Sequence, residues 1–290
     1  MKVLITGVAG NIGRETARHL IQHGFDVRGM DVLPVAKDLR DGGLEMVYAD
    51  ITDGLSMMRL MEGCEAVVHC AAYPTPHGKT AAEVLRVNVI GTQNVLDAAA
   101  AHSVSKAIIT SSIGALGFSF PKHPCLPDYF PINSPHPRRP QDAYGLSKLM
   151  NEESAAAATR AHGLTTIVIR PPWVGDFAKM SQNPWLNRRI HDAENRRDND
   201  LWGYVDIHDL AEAYRLAVEA DITGHHVFFV TADDVIAKAD AAELIRRHFP
   251  DQVGDIPNLT GNTLYDIGST RDVLGFRPAH RWRDFIDIGE

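Results

Sequence analysis

The stretch KVLITGVAGNIGRETARHLIQHG (residues 2–24) decides the fold. KVLIT (2–6) is an apolar run of the length of a buried strand, and IGRETARHLIQHG (12–24) reads as a helix stopped by Gly24. Between them TGVAGNIG (6–13) spaces Gly7, Gly10 and Gly13 as GxxGxxG. Strand, glycine turn and helix in that order form the context a dinucleotide-binding turn requires. Small residues let the backbone turn tightly and approach a pyrophosphate, and the helix N-terminus adds N–H donors and partial positive charge. Gly7, Gly10, Asn11, Ile12 and Gly13 are therefore candidate cofactor contacts.

The same alternation continues outward. DVRGMD (26–31), LEMVYAD (44–50), AVVHCAA (66–72), KAIITSS (106–112) and LTTIVIR (164–170) read as further strands. Helices are expected around 54–62, over 80–102 and over 142–162. Short apolar strands separated by helices mean βαβ crossovers and an α/β parallel sheet covered on both faces. Asp31 ends the second strand, where a carboxylate can accept both adenosine ribose hydroxyls and repel a 2′-phosphate, so NAD is expected rather than NADP. Beyond 172 the alternation is less regular, with strand and helix patterns in YVDIHDLAEAYRLAVEA, HHVFFVT and ADAAELIRRHF.

DAYGLSKLMN (142–151) sets Tyr144 and Lys148 at i and i+4, on one face of a helix. A base that takes a hydroxyl proton during hydride removal needs a pKa drawn towards neutrality, and a neighbouring ammonium and a positive nicotinamide ring both favour phenolate over phenol. The segment before this helix, 118–141, holds seven of the sixteen prolines and cannot be a helix or central strand. It reads as a pocket wall rather than a linker.

Composition removes other classes. A chain of 290 residues with 44% hydrophobic and 23% charged residues can bury a proper core. A net charge of -8 with no Lys/Arg run gives nucleic-acid binding no support. Cys64, Cys70 and Cys125 form no CxxC and suit a reducing compartment. MKVLITGVAG runs straight into a strand and no apolar run reaches membrane-span length, so neither signal peptide nor membrane is expected and the location is read as cytoplasmic. No helical HxxxH pair backed by an acid is read among the fourteen histidines, so no metal is expected.

Taken together, TGVAGNIG, Asp31, Asp50-Ile51, HCAAYP (69–74), NVIGTQNVLDAA (88–99), TSSIGALG (110–117), YGLSK (144–148) and RPPWVG (170–175) make the chain resemble the extended short-chain dehydrogenase/reductases, the NAD-dependent epimerase/dehydratase family. The resemblance implies a Rossmann-type doubly wound sheet over 1–172. A smaller substrate lobe over 173–290 would be interleaved with returning elements of that sheet. It assigns Asp50 and Ile51 to the adenine, Ala71 and Ala72 to the cofactor, and Asn88 to the arrangement of the active site. Pro171 joins the cofactor contacts. Ser112 would hold the reacting oxygen, with Ser111 as its alternative should the register slip by one; Tyr144 would exchange its proton, and Lys148 would bind the nicotinamide ribose.

Departures from the family pattern narrow the substrate. Ile113 and Gly114 stand where sugar-nucleotide dehydratases of the family carry an Asp-Glu pair, so a dehydratase is disfavoured. Trp173 and Trp202 replace polar groups that epimerases direct at a diphosphate, although Arg188, Arg189, Arg196 and Arg197 are candidates to compensate. The chain is nearest in size to the uronate dehydrogenases. Tyr73, Thr75, His77, Ile113, Trp173 and Trp202 are candidate contacts for a small substrate, a sugar or sugar acid. The expected reaction is NAD-dependent oxidation of a carbinol; nucleotide-sugar epimerisation is the alternative. Non-catalytic dinucleotide sensors typically lose the Tyr and Lys that stand here. The alanine-rich helices 80–102 and 142–162 pair across a homodimer in the family.

Overall fold

In the computed structural model, which describes residues 1–252, 259 and 261–286, the expected strands follow one another as read from the sequence. β1 (Lys2–Thr6), β2 (Asp26–Asp31), β3 (Glu45–Tyr48), β4 (Ala66–His69), β5 (Lys106–Thr110) and β6 (Thr165–Arg170) lie parallel in one sheet. Two short strands, β7 (Trp173–Gly175) and β8 (Tyr204–Asp206), pair separately, and β9 (His225–Phe229) returns to the main sheet beside β6. The strand order is 3-2-1-4-5-6-9. Chain direction across the sheet reverses between β1 and β4, which opens a crevice at their carboxyl ends, where ligands bind in such sheets.

The helices, in order, are α1 (Asn11–Gln22), α2 (Lys37–Asp41), α3 (Gly54–Met61), α4 (Ala81–Leu85), α5 (Gly91–Ala101), α6 (Ala143–His162), α7 (Phe177–Met180), α8 (Pro184–Asp192), α9 (Ile207–Glu219), α10 (Ala241–His248) and α11 (Gly268–Leu274). α1 and α9 cover one face of the sheet through Ala17, Leu20, Leu210 and Tyr214. α3, α5 and α6 cover the other through Met57, Leu96 and Ala155. A third apolar cluster joins Phe118 and Ile132 of the proline-rich segment to α7, α8, α10 and the tail around Trp282. Among the described residues, no helix is long and apolar enough to cross a membrane.

One expected helix is not uniform. Between α4 and α5 the chain forms a π-helical turn over Arg86–Ile90, with buried Asn88 inside it. A hydrophobic repeat near 3.6 continues through one wide turn, so periodicity does not reveal it; such turns recur at functional sites. The proline-rich segment carries a single bridge among the described residues, Ile132 to Tyr265, and a backbone hydrogen bond from the Arg139 amide to the Leu116 carbonyl at 3.0 Å; side chains supply its other ties.

Candidate active site

At the end of β1 the chain turns through Gly7 at φ +77, and a Cβ there would lie 2.6 Å from the Ala71 nitrogen. A Cβ on Gly13 would lie 2.3 Å from the Gly7 carbonyl oxygen, so both positions need glycine for close packing. Gly10 is different: an added Cβ would meet only the Gly7 oxygen, at 3.3 Å, and Gly10 caps α1 without a side-chain hydrogen bond. The first N–H groups of α1 therefore face open space. At the tip of β2, Asp31 accepts the Ala9 amide at 2.9 Å and the Leu33 amide at 3.0 Å.

The hydride-transfer end is built on α6. Asp142 caps this helix by accepting the Gly145 amide at 2.9 Å, which fixes Tyr144 in its first turn. The start of α6 lies against the 3₁₀ turn Ile113–Leu116; a Cβ on Gly145 would come 2.5 Å from the Gly114 oxygen. A Cβ on Gly114 would sit 3.3 Å from Ser112 Oγ and 3.2 Å from the Tyr144 ring. Two glycines thus let the serine hydroxyl and the tyrosine ring meet. Ser112 Oγ accepts the Gly114 amide at 3.0 Å. Ser111 points elsewhere, donating to Glu152 at 2.6 Å, so the hydroxyl beside Tyr144 is that of Ser112. Lys148, 4% exposed, places Nζ 5.6 Å from the Tyr144 ring centre and donates to the Thr110 carbonyl at 2.8 Å. An ammonium has three donors, so this one keeps donor capacity for a ligand.

Burial dominates the titration of the pair. It pushes the Tyr144 phenol up to about 12, against the Ser112 hydroxyl and aided by the carboxylates of Asp200 and Asp142. It also draws Lys148 down to about 8. Lys148 alone therefore does not bring the phenol towards neutrality, which leaves the positive nicotinamide ring as the second charge the expectation names. Removal from water outweighs what the protein's own charges supply, and the resting tyrosine is protonated.

A cavity of about 670 Å³ joins these parts, lined by Gly7, Gly10–Arg14, Ala72, Ser112, Ile113, Tyr144, Lys148, Pro171 and Trp173. Open N–H donors at one end, a carboxylate at the β2 tip and a donor-rich lysine at the other end fit an extended dinucleotide. Other expected contacts sit around this cavity rather than on its wall. Asp50 accepts the Thr52 amide and hydroxyl, while Ile51 is buried against Gly91. Ala71 donates its amide to Thr6 Oγ1 at 3.2 Å. Asn88 braces the site: it accepts the Tyr73 amide at 2.8 Å and donates to the Tyr73 carbonyl at 3.1 Å and to Ser147 Oγ at 2.9 Å. Ser147 in turn donates to the Tyr144 carbonyl at 2.7 Å. Thr75 accepts the His77 amide, and the His77 ring meets Phe120 edge-on, 5.6 Å between centres.

Trp202 is a correction. It is fully buried in the third apolar cluster and donates its indole N–H to the Ala193 carbonyl at 2.7 Å, so it is a core residue and no substrate contact. Its place on the cavity is taken by Asp200, two residues earlier, which nothing in the sequence pattern singled out. The sequence reading also missed a histidine pair: His19 on α1 and His23, its C-cap, are four apart, and Glu212 reaches them from α9, with ligand atoms within 4.8 Å of one another. The acid lies 189 positions after His23, on another helix, beyond any local spacing rule. Arg215 already grips Glu212 with two hydrogen bonds, at 2.8 and 2.6 Å.

Comparison with known proteins places the geometry. The UDP-glucose 4-epimerase of Corynebacterium glutamicum is 26% identical over 97% of this chain and 92% of its own. The uronate dehydrogenase of Pseudomonas syringae pv. tomato is 26% identical over 80% of this chain and 75% of its own. A solved short-chain dehydrogenase/reductase superfamily protein from Agrobacterium tumefaciens, with bound NAD, shares the fold at a TM-score of 0.76 with 24% identity, covering 98% of this chain and 94% of that one. Residues 3–230 match the family described as the NAD dependent epimerase/dehydratase family. Since that span runs from β1 through β9 and carries both the glycine turn and the Tyr144–Lys148 helix, the chain belongs to this family and is an enzyme of the extended short-chain dehydrogenase/reductase type, with NAD as its cofactor.

Proposed function

We propose that the protein is a dehydrogenase that oxidises a carbinol of a small, sugar-like substrate, with Ser112, Tyr144 and Lys148 as its catalytic residues. The observation that carries this is one cavity running from the α1 glycine turn to Ser112, Tyr144 and Lys148. NAD, when bound, supplies the hydride acceptor. Ser112 Oγ orients the reacting oxygen and Tyr144 exchanges its proton. Lys148 binds the ribose and favours the phenolate over the phenol during transfer. Gly7, Gly10, Asn11, Ile12, Gly13 and Asp31 hold the dinucleotide, and Asn88 positions the Tyr73 loop against α6. Sugar dehydrogenases and epimerases among the relatives support a sugar-like substrate.

A second reading, nucleotide-sugar epimerisation, is favoured by a neighbouring cavity of about 590 Å³ lined by Arg188, Arg189, Arg196 and Arg197. Incubation with NAD and a panel of free sugars, uronates and UDP-sugars separates the two. Net NADH, followed by its absorbance, is the expected result. A changed UDP-sugar without net NADH would transfer the assignment to the epimerase. The exposed apolar residues Ile90, Leu146 and Met150 support pairing of α5 and α6 with a second copy of the chain.

A further inference from the structure

The floor of the cavity beyond Tyr144 carries a carboxylate with no assigned task. Asp200 lines the same cavity as Ser119, Phe120, Tyr144 and Trp173. Its backbone is fixed on both sides: the amide donates to Asp198 Oδ1 at 2.8 Å, and the carbonyl accepts the Tyr265 hydroxyl at 3.1 Å and the Gly203 amide at 2.9 Å. Among the described residues no cation is paired with its side chain. Arg189 is bound to Asp198 at 3.3 Å and lies over Trp173 and Trp185, with ring centres 5.0 and 5.7 Å away. Lys179, another cation on this cavity, is held by Asp176 at 2.6 Å. Burial, with the Asp198 carboxylate, raises the pKa of Asp200 from the ordinary carboxylate value, the Ser119 hydroxyl and Arg189 opposing, and a carboxylate accepts about four hydrogen bonds. Asp200 therefore makes no ion pair among the described residues, and its oxygens are left to accept from a ligand in the cavity.

We infer that Asp200 is a substrate-binding and specificity residue, accepting hydrogen bonds from the hydroxyls of a neutral aldose and repelling substrates that carry a carboxylate or phosphate beside the reacting carbinol. Adjacent sugar hydroxyls match two acceptor oxygens held on a rigid backbone, and charge-assisted bonds of this kind are the strong ones. A like charge brought against the Asp200 oxygens loses its hydration beside a carboxylate that makes no ion pair among the described residues. This rests on the dehydrogenase reading of the cavity and narrows it from sugar or sugar acid to the uncharged sugar. The arginine-lined cavity shares Asp200 but also carries Asp192 and Asp198, so a nucleotide-linked sugar is the competing class.

The test uses the full chain saturated with NAD. Binding of glucose, galactose and arabinose, of glucuronate and galacturonate, and of UDP-glucose is titrated through tryptophan fluorescence, since Trp173 lines the cavity. Turnover is followed in parallel for the wild type, Asp200→Asn and Asp200→Ser. The wild type should favour an aldose over its matched uronate by at least about tenfold in both binding and kcat/KM. Both variants should lose about tenfold or more for the aldose, chiefly through KM, and narrow the gap to the uronate, with NAD affinity unchanged. Preference for a uronate or UDP-glucose in the wild type, an unchanged preference in both variants, or binding of none of these classes overturns the inference. Aldose binding that depends on Asp200 but yields no NADH overturns the dehydrogenase reading and leaves the role of Asp200 standing.

Discussion

Lys148 is held inside the protein at a cost to stability, and that cost can be measured. Burial lowers its pKa from 10.5 to about 8, so the folded state binds fewer protons than the unfolded state between those values. Stability then rises with pH across about 8 to 10.5, and the penalty stands in full below about 8. Replacing Lys148 with methionine removes the buried charge while keeping most of the volume. The variant should melt at a higher temperature than the wild type near neutral pH and should lose the rise in stability between about pH 8 and 10.5. Calorimetry showing an equal or lower melting temperature would mean that the ammonium is stabilised by something other than the Thr110 carbonyl. At Tyr144 the expectation concerns rate alone. Tyr144→Phe keeps the ring that packs against Gly114 and Phe120, so NAD affinity should survive while turnover falls by about a hundredfold or more. Retained turnover on every substrate would remove Tyr144 from the chemistry. Both residues were visible in the sequence because their i, i+4 spacing is itself the geometry. Asp200 was not, since its place on the cavity depends on the turn that ends at Trp202 and on a tyrosine 65 positions away.

At the scale of elements, α6 is the part on which the site turns, and it is tied down at two places, one beside Tyr144 and one a helical turn beyond Lys148. Its first turn touches the 113–116 turn through Gly145, where a methyl group would meet the Gly114 oxygen at 2.5 Å. Gly145→Ala should therefore part Tyr144 from Ser112, lowering kcat by about tenfold or more while NAD binding, which rests on the distant α1 turn, changes little. Equal losses in kcat and NAD affinity would mean that the whole crevice had deformed. Further along, Glu152 is buried with Arg170, which donates to its two oxygens at 2.8 and 2.7 Å; Ser111 and Arg138 add donors at 2.6 and 2.9 Å. Burial opposes ionisation of Glu152, yet the Arg170 guanidinium prevails and holds its carboxyl below the ordinary range. A depressed carboxylate contributes stability that is present above its unfolded pKa and is lost as pH falls towards the folded one. Glu152→Gln strands Arg170 and loosens the proline-rich wall through Arg138. It should cost about 3–5 kcal/mol in denaturant unfolding and flatten the acid limb of the stability profile. A loss below about 1 kcal/mol would show that water replaces the carboxylate. The helix itself was legible from its cap, Asp142, and its stop, Gly163 at φ +68. The π turn at 86–90 was not legible, because one extra residue in a turn barely alters an apolar repeat.

At the scale of the whole molecule, the sheet was read correctly because each strand is a short apolar run followed by a helix, a pattern written locally. The substrate side was read less well because its third apolar cluster gathers residues from 113 to 286, and long-range assembly leaves no spacing to detect. The same difference governs the outer surface. α6 buries Ala155 and Ala158 against the sheet, but Leu146 and Met150, four apart on its far face, remain 39% and 41% exposed. Ile90, at the end of the π turn, is 50% exposed. Apolar side chains left exposed on α6 and at the start of α5, two helices that already pack side by side, are available to a second copy, and a twofold copy would bury them as a four-helix bundle. A stable pair needs about 1,000 Å² of buried surface or more, within reach of two helices of 11 and 20 residues from each copy. Sedimentation velocity should accordingly give a particle of twice 31.9 kDa for the wild type. Leu146→Asp combined with Met150→Asp should shift it to one chain, because four carboxylates would then meet across the axis without partners. Since neither side chain lines the cavity, NAD binding should persist in the separated chain; a wild type that sediments as a single chain rules out the pairing.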